Sequence, residues 1–198
     1  MNTHLHVISL IAGPLLGAVA TFFWESDRYG VTASVVLMCS TVAWIYGLLG
    51  VWERVGERRP WFGAVGTVLA LAGFAGGMAF SLQGFFEAIF RVSGPESLAA
   101  AADHPIASAV VLWIPGPAFP LALCALGIAL AWTRLAPLWL GALLVLSGAV
   151  FPLSRITRTE SIAHAADVLI LAAFTALAVL YVRTGLRRPG REPASAAT

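Results

Sequence analysis

No lysine occurs anywhere in this chain of 198 residues, and charged side chains of every kind make up only 11% of it. A soluble domain normally has about a quarter of its residues charged, so the composition excludes water as the main solvent of the fold. Cysteine is nearly as scarce. The two present, Cys39 and Cys124, fall inside long apolar stretches, where they read as small packing residues and imply no disulfide framework. The short signatures of soluble enzymes are missing too: there is no phosphate loop, dinucleotide fingerprint, G-x-S-x-G elbow or C-x-x-C pair. Nucleic acid is not expected as a partner, because no basic binding surface is evident.

What is present is apolar residue, 59% of the chain, with a mean hydropathy of +0.86. The ionisable residues crowd between six long stretches that run roughly from Leu5 to Trp24, Val31 to Trp52, Trp61 to Glu87, Ile106 to Trp132, Leu135 to Leu153 and Ile162 to Val182. A helix crosses hydrocarbon with about 20 such residues. Backbone polar groups cannot stay unpaired in lipid, and the alternation of barrel strands is absent. The expected fold class is therefore all-α, a polytopic bundle of about six transmembrane helices over residues 1–184. Residues 185–198, rich in Pro, Gly, Ser and Ala with scattered Arg, read as a disordered basic tail against anionic headgroups.

Orientation follows from the twelve basic residues, all of them Arg. With the amino terminus in the cytoplasm, Arg54, Arg58, Arg59, Arg134, Arg183, Arg187, Arg188 and Arg191 lie inside, and Arg28, Arg91, Arg155 and Arg158 lie outside. The larger inner share supports a cytoplasmic-membrane protein with both termini inside. Ala18-Val19-Ala20 has the form of a signal-peptidase site, but the residues before the first span include no Lys or Arg, which argues against a signal peptide. Tryptophans at span ends, among them Trp24, Trp52, Trp61 and Trp132, read as interfacial anchors.

The segment from Glu53 to Pro60 reads as a compact Arg-rich loop. Ser93 to Pro105 is the longest connection, and its Ser-Gly-Pro-Glu start predicts a short capped helix that would cover the outer face. Span 4 holds Pro115, Pro117 and Pro120, each of which removes a backbone donor and bends or breaks a helix; freed carbonyls there can line a cavity. In span 3, Gly63, Gly66, Gly73, Gly76 and Gly77 invite close helix approach. "VLALAGFA" from Val68 and "VLILAAFT" from Val168 match at five of eight positions, 100 residues apart, and Gly13-Pro14 and Gly116-Pro117 recur at an offset of 103. Two inverted three-helix repeats would produce such offsets.

The remaining polar residues fall mostly in the outer half. Gln83, Glu87 and Arg91 in span 3 are spaced i, i+4, i+8, and Glu160, His164 and Asp167 at the start of span 6 are spaced i, i+4, i+7, so each set forms one stripe on a helix face. Asp167 is the charge deepest in a span, and an intramembrane carboxylate is a functional candidate by default. His164, one turn nearer the surface, is placed to hydrogen-bond it as an acid or base, and Glu87 stands among Phe85, Phe86 and Phe90. Asp167, His164 and Glu87 are thus the candidate catalytic groups. Arg91, Arg155, Arg158, Gln83 and Glu160 are the candidates to bind substrate, with the arginines holding a phosphate or carboxylate head. A structural clasp, Glu87 with Arg91 and Asp167 with Arg155 or Arg158, is the competing reading. His104, His164, Asp167 and Glu87 lack the H-x-x-x-H or H-E-x-x-H spacing, and His4 and His6 fall on the opposite side, so neither a metal nor another cofactor is expected.

The segments "AGPLLGAVATFFWESDRYGVT", "SLQGFFEAIF" and "FPLSRITRTESIAHAAD" resemble those of small six-span membrane proteins of actinobacteria, a group with no established activity. The likeness covers nearly the whole chain and implies topology alone. Together these features point to a protein that binds or processes a small lipophilic or amphipathic molecule, by metal-free acid/base chemistry on a lipid or isoprenoid if it is an enzyme, with membrane lipids around it. A small proton-coupled transporter and a non-catalytic assembly partner are the alternatives. The transporter reading calls for a second polar constellation in the inner half, where the sequence shows little.

Overall fold

The computed structural model describes residues 3–25, 29–157 and 159–185. Its helices are α1 (Thr3–Thr21), α2 (Val31–Arg58), α3 (Pro60–Phe90), α4 (Gly94–Ala102), α5 (Pro105–Ser108), α6 (Pro115–Trp132), α7 (Leu138–Thr157) and α8 (Glu160–Thr184), with a π-helical turn at Ala109–Trp113 between α5 and α6. Six segments are long and apolar enough to cross a membrane: α1, α2, α3, the run from Pro105 to Trp132, α7 and α8. The chain is an all-α, multi-pass membrane protein, as its hydropathy requires.

Each span packs on its neighbours in sequence, and α8 closes against α1, so the bundle is a ring in the order α1, α2, α3, α6, α7, α8. Thr3 and Thr184 lie at the same end, called here the near end; the opposite end is the far end. Three places apart in the ring, α3 and α8 form opposite walls. Phe74 on α3 and Phe174 on α8, equivalent positions of the two matched sequence segments, are both buried.

Glycine lets the backbones come close enough for dispersion to hold helices together in lipid. A Cβ on Gly63 would stand 2.3 Å from Gly56 Cα across the α2–α3 crossing, and one on Gly127 would stand 2.4 Å from the Gly141 carbonyl oxygen between α6 and α7. The near half of the ring is filled by side chains, among them Leu48, Trp52, Leu126, Leu130 and Leu177, all fully buried. Outward faces carry Val42, Val68, Ile128 and Val168, exposed to the bilayer.

Two local readings change: Trp52, expected as an interfacial anchor, is buried in the core, and the α2–α3 connection is shorter than expected. The expected loop from Glu53 to Pro60 is helical up to Arg58, and only Arg59 separates α2 from α3. Charge ended the apolar run but not the helix: Arg54 pairs one turn on with Glu57 at 2.6 Å, and Arg59 N–H closes on the Val55 carbonyl at 2.9 Å. Beside Glu87, Phe86 and Phe90 stack on each other and are exposed on the outer surface. The short helix expected after Ser93 is α4, with a complete capping box between Ser93 and Glu96. The proline-rich stretch of span 4 departs from α-geometry at the π-turn, where Ile114 N–H reaches back to the Ala109 carbonyl at 2.8 Å. Most of the basic tail, from residue 186, and Arg158 lie outside the described residues.

Candidate ligand cavity

The far half of the ring holds a cavity of about 720 Å³. Its floor is aromatic: Trp44 packs edge-on against Phe119 at 5.2 Å, and Phe119 in turn lies 5.1 Å from Phe151. Polar groups enter from both opposite walls, Gln83 and Glu87 from α3, Asp167 from α8, with Arg155 from α7 beside it.

Asp167 is only 5% exposed. One carboxylate oxygen accepts from Arg155 Nη2 at 3.0 Å, and the other accepts from the Thr21 hydroxyl at the end of α1. Arg155 is itself held between two rings, its guanidinium carbon 4.9 Å from the Trp24 centroid and 4.9 Å from that of Phe151. Such stacking suits the planar, weakly hydrated guanidinium and fixes its donors toward Asp167. Three spans, α1, α7 and α8, are thereby tied at one carboxylate.

On the other wall Glu87 is 3% exposed. It accepts from Gln83 Nε2 at 2.8 Å and from the Ser97 hydroxyl of α4, while Gln83 Nε2 also lies 3.0 Å from Ser97 Oγ. The short helix is thus latched over the cavity by the same carboxylate, and its Leu98 completes the wall. Two buried polar atoms on cavity-lining residues, Gln83 Oε1 and Trp44 Nε1, have no hydrogen-bond partner among the described residues. Pro117 and Pro120 cannot donate, so the carbonyls of Trp113 and Gly116, residues that also line the space, lose the donors a regular helix would give them.

Of the residues singled out from sequence, the structure brings Asp167, Arg155, Glu87 and Gln83 to this one cavity. His164 does not line it: its ring lies 4.4 Å from that of Phe22. Glu160 is exposed in the first turn of α8, and Arg91 is exposed at the left-handed end of α3, with φ 57°. Arg158 falls outside the described residues. Sequence reasoning missed Thr21, Trp24 and Ser97. No spacing signals a threonine 146 residues from its carboxylate. Ser97 had a signal, since the capping box that predicts α4 also places a hydroxyl one position further along.

A second buried polar group, also missed, lies in the near half. His6, 1% exposed, stacks on Tyr181 at 5.6 Å and meets Tyr46 at 4.2 Å. It fits because position 50 is glycine, where a Cβ would stand 2.0 Å from His6 Nε2. Arg54, with its Glu57 partner, is buried at the same end. Among the described residues no three His, Cys, Asp or Glu side chains cluster closely enough to hold a metal ion. No protein-family model, curated protein or solved structure matches this chain.

Proposed function

We propose that this membrane protein binds a small amphipathic molecule in the far-half cavity, with the polar end of the ligand at Gln83, Glu87 and the Asp167–Arg155 pair and its apolar body on the aromatic floor. The observation that supports this is the composition of the space. Its volume, about 720 Å³, is that of a small-molecule site, and its walls are mainly apolar with a few convergent polar groups. A clasp between helices needs no such room. Within this reading Asp167 and Glu87 are the groups available for proton transfer, and Arg155 steadies negative charge. We take the site to face the outside of the cytoplasmic membrane, following the arginine distribution.

Native mass spectrometry of the protein in lipid nanodiscs tests it. The wild type should carry a co-purifying small molecule that Asp167→Asn and Glu87→Gln lose while remaining folded. If no variant or wild-type preparation carries one, and the substitutions only lower the unfolding temperature, the polar groups serve packing and the proposal fails.

One observation favours a second reading, the proton-coupled transporter: the buried His6, Tyr181 and Arg54, with the exposed Tyr46 against the His6 ring, supply the near-half polar constellation that such a path requires. Proton uptake by vesicles in response to a lipophilic substrate, lost in His6→Phe, would favour transport over simple binding.

A further inference from the structure

We propose that the seam between α6 and α7 is a lateral portal through which the hydrocarbon chain of a membrane amphiphile enters the cavity from the bilayer; this rests on the reading of the cavity as a ligand site. The helices meet where Gly148 packs on α6, a Cβ there standing 2.6 Å from both Cys124 Sγ and the Pro120 carbonyl oxygen. Leu121 follows Pro120 and Ala149 follows Gly148, and a step of one residue turns about 100° round a helix. Leu121 and Ala149 therefore sit on flanks beyond the contact line, on the outer side of the seam. Both are exposed on the protein surface, and both nevertheless line the cavity, as does exposed Pro117 one turn from Leu121. A residue can do both only at a rim, so the cavity runs through the seam to the surface of the spans.

The sequence leaves the outer flank of the seam thin. Pro117 and Pro120 on α6 and Pro152 on α7 each remove a backbone donor at this level, and beside the close Gly148 contact Ala149 offers little bulk to cover the flank. The surroundings settle the occupant. At this depth the outer medium is hydrocarbon, and the rim residues Pro117, Leu121 and Ala149 are all apolar, so an acyl or isoprenoid chain crosses it without desolvating anything. The polar groups Arg155, Gln83 and Glu87 lie toward the far end, at the side where a headgroup resides. An amphiphile would thus seat its head under α4 and lay its chain into the seam.

The test uses the full-length protein in nanodiscs containing phosphatidylglycerol with a diazirine in one acyl chain. After irradiation, peptide mapping should find adducts at Leu121 or Ala149 and also inside, at Trp44 or Phe119. Plugging the rim from either side, by Ala149→Trp or by Leu121→Trp, should lose the interior adducts while those on Val168, on the outer face of α8, persist; thermal unfolding confirms that both variants are folded. Interior adducts that survive both plugs overturn the portal and leave the cavity reading standing. A wild type labelled only on outward residues overturns both.

Discussion

Asp167 is satisfied by partners that approach from two other helices, and its value to the protein depends on both being present. A carboxylate buried beside a guanidinium gains little over an apolar pair of similar size, but removing one partner strands the other. Arg155→Leu should therefore destabilise the protein by about 3–5 kcal/mol, and adding Asp167→Leu should recover most of that loss. Equilibrium unfolding in mixed micelles measures both; equal stability of the single and double variants would show that the ion pair does not hold α7 to α8. Asp167 was legible in the sequence because a charge in an apolar run stands out, and Arg155 because few cations lie near it in the chain. Their geometry was not. His164 shares a stripe with Asp167 by spacing, yet three residues leave a 60° rotation, enough to turn its ring toward Phe22 instead. Thr21 and Trp24 belong to a different helix, and only tertiary closure of α8 on α1 brings them in.

At the scale of elements, hydropathy reported the spans well, since lipid enforces helix wherever twenty apolar residues run together. It reported their ends poorly, because a helix outlasts the hydrocarbon wherever side chains can pair, as Arg54 does with Glu57. The glycines of α3 show what a sequence pattern leaves open. All invite close packing, but their surroundings differ: a Cβ on Gly63 would overlap Gly56 backbone at 2.3 Å, whereas one on Gly77 would meet Thr41 at an ordinary 3.4 Å. Backbone cannot yield as a side chain can. Gly63→Ala should cost about 1–3 kcal/mol as an overpacked crossing, and Gly77→Ala should be neutral or stabilising. Thermal unfolding of the two variants decides it, and equal losses would mean that helix spacing is not set at the α2–α3 crossing. The latch of α4 belongs to the same scale. Ser97→Ala leaves a buried acceptor on Glu87 with one donor fewer, so it should loosen α4 by about 1–3 kcal/mol, visible as faster amide exchange over residues 94–102 with little change in α7.

The ring as a whole is filled in one half and hollow in the other. A bundle selected only to hold itself together would close the hollow, because dispersion between helices is the main attraction available in lipid and a void forfeits it. The far half instead keeps Gly77 on the inner face of α3, where a larger side chain has room. Filling it separates the possible roles of the space. Gly77→Leu adds apolar contact and replaces glycine with a strong helix former, a gain of about 1 kcal/mol in propensity alone, so the unfolding temperature should stay level or rise. The same side chain occupies the volume in which the amphiphile is proposed to lie, so the co-purifying molecule seen by native mass spectrometry should be lost. Stability raised and ligand lost together would mean that the void is maintained against packing for the sake of what enters it. If Gly77→Leu keeps the molecule at the wild-type ratio, the molecule is bound elsewhere, and the hollow is then a defect of packing that the two carboxylates merely border.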